Sequence, residues 1–328
     1  MKGSEAVPDY VFSSALGGIA LGDVTSPDTQ PLISDGTHAA TLQDSSTTPP
    51  LPATSNYCLY TRRDLDFRHN KGVVMAFADG HVETVSSSGV KFPYPISWAK
   101  ADYGVTLSGS TVTKLADIGA QDVTQADGTG PTYVPATDTV NAIPLINNTY
   151  KPCMKFNGSG TAGSKLVGPV INSTTSAYFI VVRTPTTNPS AAQDFLSTRQ
   201  ADSKGGIELC VNTSGNILYY VFKSDGTNTN ANMSVPGAGK WFLLSCVVDS
   251  SSTTVYINGG NKNQLGPPAP SIVPVTLGVK TGGGAAGFTG WVAEVIALDY
   301  APSTGERQAI EDILFNKYTN IVPVSPRQ

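Results

Sequence analysis

The sequence is poor in charged residues and in long apolar runs. Charged residues make up 14% of the 328 residues, and 21 basic against 25 acidic side chains give a net charge of −4. This near-balance excludes the dense basic surface that a nucleic-acid-binding protein needs. No run of about 20 apolar residues is found, so we expect no transmembrane segment. The N-terminal residues lack the apolar core of a signal peptide, so we expect no export signal in this chain.

Histidine and glutamate are also scarce. The three histidines, His38, His69 and His81, all lie in the first 90 residues, so a histidine-dependent triad would need one of them. Only six glutamates occur, and Glu208 and Glu294 lie on predicted strands. Neither has a second carboxylate two residues away to share its strand face, as paired-carboxylate catalysis would require. We interpret both as solvated or hydrogen-bonded strand residues, and the catalytic and ligand-binding residues stay unassigned.

Cysteine is infrequent and widely spaced. The four cysteines are Cys58, Cys153, Cys210 and Cys246. Their spacing matches no zinc knuckle or CxxC motif, so we interpret them as ordinary thiols and leave their disulfide state open. Cys246 alternates with Phe242, Leu244 and Val248, which predicts that it faces a core.

Glycine and proline are abundant, with 33 and 23 residues, which predicts many short elements joined by turns. Residues 26–56 are rich in Ser, Thr and Pro and predict a long surface loop. Asp79 and Gly80 lie between two β-prone runs and predict a hairpin turn. Further strands are predicted at 178–182, 207–211, 217–222, 241–248, 254–257 and 291–298.

One helix is predicted near the C-terminus, where it should cover an edge or face of the sheets. Ser303 and Glu306 form a capping-box pattern, and apolar residues follow at helical spacing, namely Ala309, Ile310, Ile313, Leu314 and Tyr318.

The cadence of strands predicts a mainly β fold, an antiparallel β-sandwich. We divide the chain into residues 1–90, a small hairpin-containing segment with the long loop, and residues 91–328, the sandwich. Trp98, Trp241 and Trp291 are expected to fill the layer between the sheets. Tyr219 and Tyr220 must point to opposite faces, so one of them is available as an exposed stacking platform.

Ion binding is considered at two places. Asp64, Asp66 and His69 are ligand types suited to a transition metal, and Asp117, Asp122 and Asp127 to Ca²⁺. The alternatives are exposed turn acids and, for His69, structural hydrogen bonds, with Asp79 and Gly80 as turn residues. We assign no metal site and no cofactor, and Ca²⁺ stays an alternative.

The N-terminal part resembles a family through one spacing. In Arg68-His69-Asn70 … Ala76-Phe77-Ala78-Asp79-Gly80-His81, nine residues separate His69 from Asp79-Gly80. This resembles the His-x9-Asp-Gly signature of pseudopilin-like proteins of planctomycetes and related bacteria. The resemblance implies a truncated pseudopilin-like segment, with His69, Asp79 and Gly80 as a structural motif. The family's prepilin leader is not found, so filament assembly is not expected.

Residues 91–328 resemble the laminin G-like group of concanavalin A-like sandwiches. The supporting passages are Trp98 to Leu107, Lys155-Phe156-Asn157-Gly158, Lys240-Trp241-Phe242-Leu243, Val255 to Gly259, Phe288 to Val295, and the capped helix. The resemblance implies a jelly-roll sandwich with a C-terminal helix that binds glycans or protein surfaces.

The function that we favour from the sequence is an extracellular or cell-surface module that binds a glycan or mediates adhesion without catalysis. Its partners would be a polysaccharide or a cell-surface glycan or protein, and no nucleic acid. Since a fold does not determine a function, two alternatives stay open. They are a hydrolase acting on a polysaccharide or ester at an unrecognised site, and a structural surface component.

Overall fold

The computed structural model describes residues 9–12, 31–36, 72–77, 82–86, 97–116, 123–125, 130–158, 163–171, 174–202, 204–279 and 286–324. The chain divides into two compact units, Met1–Tyr94 and Pro95–Gln328. Within the described ranges, no helix combines the length and hydropathy needed to cross a bilayer.

The described elements are many short strands and one helix. The strands are β1 (Asp9–Phe12), β2 (Pro31–Gly36), β3 (Gly72–Phe77), β4 (Val82–Ser86), β5 (Ser97–Lys100), β6 (Val105–Ser108), β7 (Thr111–Leu115), β8 (Val123–Gln125), β9 (Thr132–Val134), β10 (Ile143–Pro144), β11 (Tyr150–Lys151) and β12 (Cys153–Asn157). They continue with β13 (Leu166–Val170), β14 (Ser176–Arg183), β15 (Gln193–Ser197), β16 (Ile207–Val211), β17 (Ile217–Phe222), β18 (Asn228–Met233), β19 (Trp241–Val248), β20 (Thr253–Ile257), β21 (Gly260–Leu265), β22 (Pro274–Leu277), β23 (Ala286–Gly287) and β24 (Thr289–Leu298), and helix α1 spans Thr304–Lys317.

The first unit contains an antiparallel sheet in the order β1-β2-β3-β4. β3 and β4 pair on either side of the predicted turn, with Val74 opposite Thr84, while the turn residues Asp79 and Gly80 lie outside the described residues. The prediction of a continuous loop over 26–56 is wrong at β2. That strand finds partners on both sides, β1 and β3, so pairing outweighs the local abundance of turn-forming residues.

The second unit is a sandwich of two sheets. The front sheet has the strand order β8-β13-β22-β15-β16-β17-β18. The back sheet has the strand order β24-β14-β19-β20-β21. The other edge of β24 pairs with β12 near its start and with β5 further along. β7 and β9 connect the two sheets along one edge. The described pairings are antiparallel except that between β15 and β23.

The hydrophobic core fills the space between these sheets. The front sheet contributes Leu196, Leu209, Val211, Ile217, Tyr219, Val221 and Leu277, and the back sheet Phe156, Tyr178, Ile180, Val182, Phe242, Leu244, Cys246, Val248 and Val292. Cys246 therefore faces the core, as its alternation predicted. Cys153, Cys210 and Cys246 are buried free thiols, and Cys58 lies outside the described residues.

The tryptophans do not occupy the layer predicted for them. Trp98, Trp241 and Trp291 are buried, with 2%, 7% and 8% of their surface exposed, but they do not belong to the core between the sheets. Their strand neighbours Ala99, Phe242 and Val292 do. Because successive side chains alternate across a strand, the indoles lie on the outer face of the back sheet.

Helix α1 covers part of that outer face, as predicted. Glu311 accepts a hydrogen bond from the Ser245 hydroxyl of β19 at 2.8 Å. The Arg307 guanidinium lies 3.9 Å from the Tyr256 ring centre. With the core on one side and the helix on the other, every residue of β14 except Arg183 is buried. This explains its unbroken apolar run.

Candidate functional site

The outer face of the front sheet gathers polar and aromatic side chains. Leu209, Tyr219 and Val221 take the core side, so Glu208, Cys210 and Tyr220 point outward. A row of direct cross-strand neighbours runs through Ser197, Glu208, Tyr220 and Asn230 over β15 to β18. We call this surface the Tyr220 face. It consists of the outward side chains of β15 to β18 together with Arg199.

Tyr220 is the half-buried aromatic residue of this face. Its ring stacks on Phe222 with ring centres 6.0 Å apart and 29° between their planes. Burial raises the pKa of the Tyr220 phenol, and the nearby Cys210, Glu208 and Asp194 raise it further. The hydroxyl therefore stays protonated at neutral pH and can donate a hydrogen bond. Tyr219 is buried in the core, so Tyr220 is the member of the pair suited to stacking.

An ion pair lies next to Tyr220. Nη1 of Arg199 is 3.1 Å from Oε2 of Glu208, and their side chains are 17% and 7% exposed. The guanidinium lies 4.7 Å from the centre of the Phe222 ring. A planar guanidinium held by a carboxylate and a ring is restricted in its orientation, which suits it to directed hydrogen bonding.

A second carboxylate joins Glu208 from the neighbouring strand. One oxygen of Asp194, one of Glu208 and the Cys210 sulfur all lie within 4.8 Å of one another. Two oxygens and a sulfur are ligand types for a divalent metal. However, Glu208 already pairs with Arg199, and the Cys210 thiol donates to the Leu218 carbonyl at 3.1 Å. The positions of Asp194 and Glu208 are therefore better explained by attraction to the Arg199 guanidinium than by coordination of a metal.

The sequence did not reveal Asp194 as the neighbour of Glu208. The sequence has no second carboxylate two residues from Glu208 on the same strand, whereas the structure provides one through pairing of β15 with β16. The register shifts between Asp194 and Leu196 because of a bulge. A bulge changes which side chains share a face, so strict alternation along β15 fails to predict the position of Asp194.

Strand β18 adds an amide row at the margin of the face. Asn228, Asn230 and Asn232 are exposed and recur at every second residue. Asn212 donates from Nδ2 to Oδ1 of Asn232 at 2.7 Å. Amide groups offer both donors and acceptors, which is the combination that sugar hydroxyls require.

The other predicted site residues divide into two groups. His69, Asp79, Gly80 and the acidic sets Asp64, Asp66 and Asp117, Asp122, Asp127 lie outside the described residues. Glu294 is described and fully buried. It accepts hydrogen bonds from Trp98 Nε1, Lys317 Nζ and the Tyr318 hydroxyl at 2.5, 2.5 and 2.6 Å. Glu294 is thus a hydrogen-bonded strand residue that attaches the end of α1 to the sheet.

A model of a known family matches much of the sandwich. Residues 157–306 match the model of the concanavalin A-like lectin/glucanases superfamily. The second unit has a concanavalin A-like fold. The match includes β14 to β19 and therefore the whole Tyr220 face. A comparison with curated proteins finds no match.

Several solved structures are similar to this domain. Domain 4 of AbnA, an extracellular arabinanase from Geobacillus stearothermophilus in complex with arabinotriose, is 17% identical with a TM-score of 0.45, over 67% of this chain and 97% of that one. The type G botulinum neurotoxin receptor-binding domain is 15% identical with a TM-score of 0.48, over 67% and 51%. A Trypanosoma rangeli sialidase in complex with sialic acid is 14% identical with a TM-score of 0.46, over 72% and 34%.

Proposed function

We propose that the concanavalin A-like domain binds glycans without catalysis, through the Tyr220 face. The observation that carries the proposal is the half-buried Tyr220 ring flanked by the Glu208–Arg199 ion pair and by Asn230. An aromatic ring can stack on the apolar side of a sugar, while fixed donors and acceptors beside it bind the hydroxyls. The lectin/glucanase family match supports this choice of ligand class.

The proposal extends to location and partners. A protein that binds polysaccharide or cell-surface glycans acts where such polymers are exposed, so we expect an extracellular or cell-surface position. The near-neutral composition, with a net charge of −4, agrees with neutral carbohydrate partners rather than nucleic acid. For residues 1–90, the pseudopilin-like assignment with its motif His69, Asp79 and Gly80 stays a prediction, as does any Ca²⁺ site.

A hydrolase is the second candidate, and Asp194 with Glu208 is the observation that favours it. Retaining glycosidases hold two carboxyl groups about 5–5.5 Å apart, and these two side chains have oxygens within 4.8 Å. Against it, Asp194 is 1% and Glu208 5% exposed. A nucleophile must reach the sugar, so this burial argues against hydrolysis, whereas binding can use the more exposed Arg199, Tyr220 and Asn230.

Binding to a glycan array, followed by calorimetric titration of the best ligand, tests the proposal. We expect Tyr220→Ala to weaken binding about threefold to tenfold because the stacking surface is lost. Tyr103→Ala is the matched control, since Tyr103 is a 40% exposed tyrosine outside the face, and it should bind like the parent. Equal affinity for the parent and Tyr220→Ala would reject the face as the site.

A hydrolase substrate panel on the same protein tests the alternative. Product formation that Glu208→Gln abolishes, with unfolding of the variant unchanged, would replace the binding proposal by hydrolysis. Absence of both binding and turnover would favour a structural surface component.

A further inference from the structure

A row of alternating cations and indoles crosses the outer face of the back sheet. Lys155, Trp291, Arg183 and Trp241 are direct cross-strand neighbours on β12, β24, β14 and β19. Side chains directly opposite one another across strands point to the same face. The four therefore form one continuous strip, which we call the Trp291 row. It lies on the opposite sheet from the Tyr220 face.

The cations of this row have no carboxylate partner among the described residues. Arg183 is half-buried and Lys155 exposed, and neither forms an ion pair within the described ranges. Arg183 donates from Nη1 to the Val140 carbonyl at 3.4 Å. A guanidinium partly removed from water usually has a counter-ion, because burial of an unpaired charge is costly. Among the residues that the structure describes Arg183 has no counter-ion, which leaves its charge available for an anion.

Asp138 is an acidic residue close enough to Lys155 for their charges to interact. Lys155 contributes to lowering the pKa of Asp138, although a hydrogen bond from the Asn141 side chain is the main cause. The Asp138 carboxylate also accepts hydrogen bonds from the backbone N–H groups of Val140 and Asn141. It is therefore occupied in capping its own loop and does not neutralise Arg183.

The Trp291 indole lies against both cations. The guanidinium of Arg183 lies 4.3 Å, and Nζ of Lys155 5.6 Å, from the Trp291 ring centre. Trp241 and Trp291 are more than nine-tenths buried, and their Nε1 atoms and Nε of Arg183 have no hydrogen-bond partner among the described residues. Buried donors are nearly always satisfied in folded proteins, and these unpartnered donors belong to the same strip as the unpaired charge of Arg183. A fixed guanidinium also loses little entropy when it binds an anion.

We propose that the Trp291 row binds the carboxylate or sulfate ester groups of an anionic polysaccharide, at a site separate from the Tyr220 face. Arg183 supplies the directed donors, and Lys155 adds a second charge next to it. The row contains two cations, which suits the separate carboxylate or sulfate groups of a saccharide, whereas a duplex or an anionic bilayer needs a dense basic surface. That the anion belongs to a saccharide rests on the proposed function.

Calorimetric titration with three probes tests the proposal: oligogalacturonate for carboxylate, a heparin oligosaccharide for sulfate, and dextran as a neutral polymer. We expect one anionic probe or both to bind, more weakly as salt rises, and dextran not to bind at this row. Arg183→Gln should weaken binding about tenfold because charge-assisted hydrogen bonds are lost. Lys155→Gln should weaken it about threefold, and its exposed position leaves the fold intact.

Lys262→Gln is the charge-matched control, because Lys262 is exposed on β21, outside the row. It should bind both anionic probes like the parent. The proposal is overturned if neither anionic probe binds, if Lys155→Gln and Arg183→Gln bind like the parent, or if Lys262→Gln loses as much affinity as they do.

Tyr220→Ala separates this proposal from the proposed function. Loss of neutral-glycan binding in Tyr220→Ala, with anion binding retained, supports two separate sites. Anion binding that depends on Arg183 in a protein that binds no neutral glycan supports the row and rejects the Tyr220 face. Anion binding that depends on Tyr220 and not on Arg183 overturns the row.

Discussion

At the scale of single residues, Glu294 shows how a buried charge is held in this fold. It is fully buried and accepts from an indole, an ammonium and a phenol. Lys317 in turn lies 3.0 Å from Asp102, so the two carboxylates and the ammonium form one network. Such a network stabilises the fold when every buried member has its partner. Removal of one member leaves another buried and unpaired.

Replacement of this carboxylate should therefore be costly. We expect Glu294→Gln to lower the free energy of unfolding by about 3 kcal/mol, because Lys317 loses one of its counter-ions and two neutral donors lose a charged acceptor. Urea denaturation measures the change. Asp202→Asn is the control. Asp202 forms an exposed pair with Lys204, and its loss should stay within about 0.5 kcal/mol. Similar losses in both variants would contradict the network.

The same network predicts a dependence on alkaline pH. Burial raises the pKa of Tyr318 well above 10.0, and the charges of Glu294 and Asp102 raise it further. Burial alone would lower the pKa of Lys317, but Glu294 and Asp102 outweigh it and raise the value above 10.5. Both groups keep their protons in the folded state when the unfolded chain has lost them. Their contribution to stability is thus complete below pH about 10 and is lost as the pH rises beyond it.

Tyr318→Phe tests this sign. The variant lacks one titrating group, so its free energy of unfolding should fall less steeply between pH about 10 and about 12, by up to about 1.4 kcal/mol per pH unit. Urea titrations across this range measure both slopes. A parent and a variant with parallel slopes would show that Tyr318 titrates alike in both states.

At the scale of elements, helix α1 combines a predictable start with an unpredicted buried face. Ser303 and Glu306 form the capping box in both directions. The buried side of the helix contains Arg307 and Glu311, which form an ion pair, while Ala309 is exposed. Apolar periodicity alone cannot identify such a face, because the pair buries charge through mutual contact rather than through apolar surface.

The capping box gives a prediction at this scale. Ser303→Ala should lower the free energy of unfolding by about 1 kcal/mol, because the backbone N–H of Glu306 loses its acceptor. Ser303→Asp keeps an acceptor and should remain close to the parent. Thermal and urea unfolding measure both variants. Equal stability of Ser303→Ala and the parent would show that the cap does not limit stability.

The turn between β20 and β21 is the opposite case, in which a local pattern determines the element. Asn258 and Gly259 adopt positive φ values of 53° and 75°. They join Ile257 and Gly260, which pair directly. This is the geometry of a two-residue type I′ turn, for which Asn-Gly is strongly preferred.

At the scale of the whole molecule, the sandwich contains its own core. The described members of the hydrophobic cluster all lie between Ala99 and Ala297. We therefore expect residues 91–328 to fold without residues 1–90, with cooperative urea unfolding and the glycan affinity of the full chain. Aggregation of this fragment, or gradual unfolding, would contradict that domain division.

Much of the sandwich was predictable because its strands follow local patterns. The runs at 178–182, 207–211 and 241–248 became β14, β16 and β19, and Tyr219 and Tyr220 point to opposite faces as the period of two requires. The placement of the indoles was not predictable in this way. The period of two separates Trp241 from Phe242 but does not say which of them faces the partner sheet.

The fold class and the start of helix α1 follow from residue types and from neighbours along the chain, so both could be predicted before the structure. The proximity of Asp194 to Glu208, and the position of Arg183 between Trp241 and Trp291, become visible only in the folded sheets. Both sets assemble through hydrogen bonding between strands distant in sequence, and a one-residue change of register or a bulge would separate them. The candidate sites are therefore properties of strand pairing, which no local pattern encodes.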